Sequence, residues 1–199
     1  MARKVDHAER RREIAEKALR LFSQVGYENV SLIMIASAAG VSRTVLYRYF
    51  CSKREILDAA ILTVTGDIER RCSKIVSSRE KAVVKLERVC QTVVEVMFEN
   101  KAFLVAVFDF VVGMVRTGAD MSSNICSFTT GTRDVLKLLI AHAKAAGEIP
   151  EVLVVERISD AFYAQFESAA MRIVMGTERT ADAAKKRFAD AIRAISIWR

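Results

Sequence analysis

The sequence predicts an all-α protein built from two helical domains, on three observations. Its 199 residues include only 8 Gly and 1 Pro, too few to punctuate a sheet-rich chain. Apolar residues recur at three- and four-residue steps over most of the length, and β-branched runs bounded by turns are absent. Hydrophobic residues make up 52% and charged residues 28%, a folded composition in a chain long enough to bury a core.

Each element has its own signal. In the first helix, over residues 7–25, Ile14, Ala15, Ala18, Leu21, Phe22 and Val25 share one face, and Gly26 follows where a left-handed cap belongs. Ser31 then caps a second helix that Gly40 stops, and Ser42 caps a short third one. Ser52 and Glu55 stand at the spacing of a capping box, opening a fourth helix that runs past Leu62. Longer helices are expected over 81–100, 102–115, 124–146, 152–175 and 180–198, with breaks at Gly118, 147–150 and Gly176. The simplest division is an N-terminal domain over 1–60 and a larger helical domain over 61–199, joined through the fourth helix.

Charge narrows the partners. Net charge is +7, and residues 1–59 hold 11 basic and 7 acidic side chains against 20 and 17 in the remainder. Positive density in the first third favours an anionic partner there, or marks a solvated basic surface. Cys51, Cys72, Cys90 and Cys126 lack C-x-x-C spacing and His neighbours, which argues against zinc or any other metal. The apolar segments around Cys90 and Cys126 suggest reduced, buried thiols and a cytoplasmic protein. The N-terminal residues lack a signal peptide's apolar stretch, and the apolar run 102–115 is too short to span a bilayer, so no membrane partner is expected. With two histidines, no Gly-x-Ser-x-Gly elbow and no phosphate-binding Gly loop, the chain offers no catalytic residues and calls for no cofactor.

The most informative stretch is "AAGVSRTVLYRYF", residues 38–50. Gly40 permits a sharp turn, and Val41 and Leu46 can anchor the short helix against Ile35, Ala36 and Ala39. Arg43, Thr44, Tyr47 and Arg48 are then left outside. In a helix-turn-helix such a face enters the major groove of DNA. Arg43 suits a guanine edge, and Thr44 and the methyls of Val45 suit base edges or a thymine methyl. The alternative is an ordinary helical hairpin with a wet polar face.

These segments resemble the DNA-binding domain of TetR-family transcriptional regulators. The resemblance spans about residues 12–60 and lies in "ALRLFSQVGYENVS" (18–31), "IASAAGVSRTVLYRYF" (35–50) and "SKREIL" (52–57). It implies an N-terminal three-helix helix-turn-helix domain followed by a larger helical ligand-binding and dimerisation domain. The implied function is ligand-responsive regulation of transcription, most often repression. A homodimer would bind a palindromic double-stranded DNA operator and be released by a small-molecule effector. In that frame Tyr47 and Lys53 hold phosphates, Arg43 and Thr44 read bases, and Tyr49 supports the backbone contact. Ser31, Ser42, Val45 and Arg48 complete the DNA-facing set, with tail residues Arg3 and Lys4 as further phosphate contacts. The run 10–12 could add to them or remain solvated. Two departures stand out: Val45 replaces a common Thr, and the apolar Leu32, Ile33 and Met34 replace a commonly polar stretch.

The same resemblance implies a four-helix subunit interface from the last two helices. Ile158, Phe162, Phe166, Ala169, Phe188, Ile192 and Ile195 are the candidates, with Ala161, Ala164 and Ala170 permitting close approach, although such stripes also mark intramolecular core. The run 102–115 is apolar on nearly every side, and Phe103, Val107, Phe108, Phe110 and Met114 are expected to wall an effector cavity. Asp109 within it must be paired, exposed or used, in the last case with Glu95 or Glu99 toward a cationic effector. A second reading keeps the fold but makes the protein an adaptor or a ligand-blind DNA binder.

Overall fold

A computed structural model describes residues 7–118 and 123–196. Arg3, Lys4, Trp198 and the side chain of Cys126 lie outside the described residues. Among the described residues there are helices and no strands: α1 (His7–Val25), α2 (Leu32–Ala39), α3 (Arg43–Tyr47), α4 (Lys53–Val76), α5 (Ala82–Glu99), α6 (Lys101–Thr117), α7 (Ser123–Ala145), α8 (Val155–Val174) and α9 (Ala181–Ile195). None is long and apolar enough to cross a membrane.

Two compact units result, and neither is continuous in sequence. Among the described residues the first holds 7–65, 102–118 and 123–125, the second 66–101 and 126–196. α4 supplies residues to both, because its apolar stripe never breaks: Ile61, Val64, Ile68, Cys72 and Ile75 are all buried. The boundary expected at residue 60 falls inside this helix.

The first unit is centred on Ile14, Phe22, Ile35, Leu46, Phe50, Ile56 and Leu57, each almost completely buried. Its helix ends are fixed by local chemistry. Ser31 Oγ accepts the Met34 N–H at 3.2 Å, Ser42 Oγ the Val45 N–H at 3.2 Å, and Ser52 Oγ the Glu55 N–H at 3.1 Å. Gly40 adopts φ +66°, and the Val41 N–H reaches back to Ala36 O at 3.0 Å, closing α2 and turning the chain into α3.

The second unit is held by a longer apolar interface. α5 packs on α8 and α9, burying Leu86, Val89, Val93, Val94 and Val96. Phe188 of α9 lies between Phe166 (ring centroids 4.6 Å) and Phe162 (6.2 Å) of α8.

Candidate functional site

α3 is a helix of five residues, too short to persist alone. One side chain holds it from behind: Leu46 is fully buried, and half-buried Val41 packs beside it on the shared core. Ile35, Ala36 and Ala39 of α2 form the receiving surface, all buried. Anchoring at Leu46 turns Arg43, Thr44, Tyr47 and Arg48 to solvent, as the spacing predicts. Arg43 Nη2 donates to Tyr47 Oη at 3.3 Å, and its guanidinium lies 5.5 Å from that ring's centre.

Ser31, Arg43, Tyr47 and Lys53 line one open groove of about 690 Å³. Ile33 and Leu32 share it, and Ile33 is 60% exposed. The apolar departure in α2 therefore faces outward beside the candidate contacts. Ser42, Thr44, Val45, Arg48 and Tyr49 do not line this groove. Ser42, Thr44 and Arg48 are exposed, whereas Val45 and Tyr49 are half-buried.

Two of the candidates also have structural work. Lys53 Nζ donates to the carbonyls of Tyr27 (2.9 Å) and Glu28 (3.1 Å) and lies 4.7 Å from the Tyr27 ring centre. It braces the α1–α2 turn, which leaves one of its three N–H donors for an anion. The Tyr49 ring packs on His7 with centroids 4.6 Å apart.

Sequence reasoning missed Arg11. Its guanidinium donates to Tyr49 O (2.6 Å) and Glu55 Oε1 (2.7 Å) and sits 4.3 Å over the Phe50 ring. Glu55 also accepts the Cys51 N–H at 2.8 Å. That backbone bond first, and the Arg11 side chain second, hold the Glu55 carboxyl below its ordinary range. Nothing in the run 10–12 singles out the middle residue; its neighbours form only surface pairs, Arg10 with Glu13 and Arg12 with Glu16.

The family profile of bacterial regulatory proteins of the tetR family matches residues 14–60, the segment that carries this geometry. Residues 14–60 thus form a DNA-binding domain of the TetR-family type. It is 24% identical over 143 residues to the nicotine-responsive transcriptional repressor HdnoR of Paenarthrobacter nicotinovorans, covering 71% of this chain and 73% of that one. It is 31% identical over 101 residues to the transcriptional regulator PksA of Bacillus subtilis (strain 168), covering 51% and 48%. Its fold matches the ketosteroid transcriptional regulator KstR2 of Mycobacterium tuberculosis with a TM-score of 0.74 at 18% identity, over 95% and 96% of the two chains. The matched segment is a TetR-type DNA-binding domain, and the relatives are transcriptional regulators rather than enzymes.

α6 lies in the first unit. The expected effector set is accordingly not assembled as one wall. Phe110 and Met114 are buried in the first unit's core, with Phe103 and Val107 packed against it. Phe108 is half-buried on the same helix. Asp109 Oδ2 accepts the Tyr27 N–H at 2.6 Å, so its carboxylate is engaged by backbone. Glu95 belongs to the second unit, where it pairs with Lys185 at 2.5 Å. A helix apolar all round marks burial, and here the burial is among the N-terminal helices.

The expected interface residues are largely covered within the single chain. Phe162, Phe166, Ala169, Phe188 and Ile192 are at most 4% exposed within the single chain, and Ile158 and Ile195 are half-buried. The five fully covered side chains have almost no surface left to bury against a second copy. α8 leaves exposed Ala161, Ala164, Ser168 and Met171 among charged residues such as Asp160, Glu167 and Arg172, with Met175 exposed just past its end.

The second unit does contain an apolar cavity. Ile68, Glu69 and Cys72 of α4, Val89 and Val93 of α5, and Gly131, Thr132 and Val135 of α7 enclose about 220 Å³. Burial pushes the Cys72 thiol up to about 11, and burial pushes that of Cys90 up as well. Both therefore stay neutral thiols near neutral pH and pack as small apolar groups.

Proposed function

We propose that this protein represses transcription as a homodimer on a palindromic operator and is released by a small organic effector. The observation that carries the reading is α3: a helix anchored by Leu46 whose remaining face, Arg43, Thr44, Tyr47 and Arg48, is polar, exposed and basic. Arg43 and Thr44 act as base readers, with Val45 beside them. Tyr47, Ser31, Ser42, Arg48 and the spare donor of Lys53 hold phosphates, and Tyr49 keeps the start of α1 against them. Two copies are needed because one short helix reads only half a site, and paired helices meet groove positions about 34–36 Å apart. The dimer forms through the exposed face of α8. Residues 1–60 bind DNA, the remainder serves effector binding and dimerisation, and the protein acts in the cytoplasm, where its operator lies.

Release follows from linkage. The cavity walled by Ile68, Glu69 and Cys72 lies on the same continuous helix that begins at Lys53 beside the groove. An effector that favours one placement of α4 shifts the spacing of the recognition helices and lowers operator affinity. The nicotine-responsive relative supports ligand response in this chain.

Sequencing of genomic fragments retained by the purified protein at two salt concentrations tests the reading. A palindromic motif with half-sites about one helical turn apart is expected. With about eight phosphates engaged per dimer, affinity falls steeply with salt. Arg43→Ala should relax one base position at a cost of about 1–3 kcal/mol. Lys53→Ala should weaken all sequences alike. Absence of any enriched motif would favour an adaptor, a reading to which the exposed Ile33 and Met34 lend some weight.

A further inference from the structure

The cavity of the second unit is chemically lopsided. Ile68, Cys72, Val89 and Val93 are buried and apolar, and half-buried Val135 continues that wall. Among the described residues Glu69 is its one acidic side chain and is exposed, and no basic residue lines it. The neighbouring charges of the same helix are paired with one another or with α5. Asp67 holds Arg70 at 3.0 Å and Arg71 at 2.8 Å, and Arg71 bridges to Glu99 at 2.9 Å. Among the described residues Glu69 takes part in no ion pair.

We propose that this cavity takes a small organic amine, its ammonium group at Glu69 and its apolar body among Ile68, Cys72, Val89, Val93 and Val135. The inference rests on the effector reading above and names the ligand's chemistry. Size sets the first limit: at the packing density of protein interiors, a cavity of about 220 Å³ holds roughly ten non-hydrogen atoms. Charge sets the second. A molecule seated on the apolar wall covers the mouth and strips water from the Glu69 carboxylate, a loss that only an opposite charge with N–H donors offsets well. An anionic ligand would meet like charge with no lysine or arginine to answer it. A neutral ligand would leave the carboxylate desolvated and unpaired. The neutral Cys72 thiol adds apolar surface and no second charge.

The test uses the full chain and three matched probes, benzylamine, benzyl alcohol and benzoate, titrated by calorimetry near neutral pH. Benzylamine should bind at least tenfold more tightly than benzyl alcohol, and benzoate more weakly than either. In Glu69→Gln, an exposed substitution that leaves the core untouched, the amine should lose at least tenfold while the alcohol holds its affinity. Val93→Phe, which fills the cavity, should weaken amine and alcohol together. Equal affinity for amine and alcohol, a preference that survives Glu69→Gln, or no binding of any probe would overturn the proposal. A parallel operator titration without probe separates the two readings. Operator binding with no amine binding defeats this inference alone, whereas amine binding without an operator leaves it standing and defeats the regulatory reading.

Discussion

α3 and the α8–α9 pair are both amphipathic, yet their apolar residues foretell function very differently. In α3 a single side chain, Leu46, is spent on the core, and four neighbours remain outside with polar groups to offer. In α8 and α9 the long stripes of Phe162, Phe166, Ala169, Phe188 and Ile192 are spent on each other and on α5. The difference shows that an apolar stripe first reports where a helix meets its own chain. Partners take what is left over. For α3 the remainder is Arg43, Thr44, Tyr47 and Arg48; for α8 it is Ala161, Ala164, Ser168 and Met171 among charged residues such as Asp160, Glu167 and Arg172. The sharpest way to break this contrast is Phe188→Ala. As a core residue 1% exposed, it should cost about 3–5 kcal/mol of stability in denaturant unfolding. The loss should be the same at low and high protein concentration. A loss that grows on dilution would return Phe188 to the subunit interface.

A smaller effect sharpens the contrast within the first unit. Asp109→Ala removes the carboxylate that accepts the Tyr27 N–H at 2.6 Å, one of the polar ties between α6 and the α1–α2 turn. It should cost about 1–2 kcal/mol in unfolding, and it should weaken operator binding because the turn it holds borders the groove. Unchanged operator affinity with reduced stability would confine Asp109 to folding. This tie also marks the limit of what the sequence discloses. Helix boundaries, the Gly40 turn and the serine caps depend on groups three or four residues apart, so a local reading finds them. The bond from Asp109 to Tyr27 spans 82 residues, and no periodicity in 102–115 indicates which partner an apolar helix will choose. The same holds for the cavity, whose walls come from α4, α5 and α7 and which no single stretch announces. The extent of α4 was only half legible. Asp67, Glu69, Arg70 and Arg71 mask a stripe of Ile68, Cys72 and Ile75 that continues for nearly four more turns past Leu62.

Glu55 joins the legible and the hidden parts of the first unit. Its cap to Ser52 was readable from spacing, whereas its bridge to Arg11 was not. Because its folded pKa is depressed, its charge stabilises the native state above the unfolded value, and that contribution disappears as pH falls through the folded one. With the carboxylate partly exposed and screened, Glu55→Gln should cost about 0.5–1 kcal/mol at neutral pH. The gap between variant and parent should close as the pH drops below the ordinary value of 4.5. A gap that persists in acid would assign the loss to packing over Phe50 instead of charge.

The smallest expected effect falls where the two units divide, between Thr65 and Gly66 within α4. A glycine inside a helix is about 0.5–1 kcal/mol less favourable than alanine, so Gly66 is a soft point in an otherwise continuous rod. A Cβ added there would meet only the end of the Arg70 side chain at 3.7 Å, an ordinary contact. Gly66→Ala should accordingly stabilise the protein by about 0.5–1 kcal/mol and leave operator affinity without effector unchanged. If α4 transmits effector binding by bending at this point, the stiffer helix should need more effector for half-maximal release from DNA. If it moves as a rigid body, the release curve should not shift. Fluorescence anisotropy of a labelled operator, titrated with effector against both proteins, separates the two. A shift without loss of effector affinity would place the hinge of the switch at the only glycine between the cavity wall and the recognition helix.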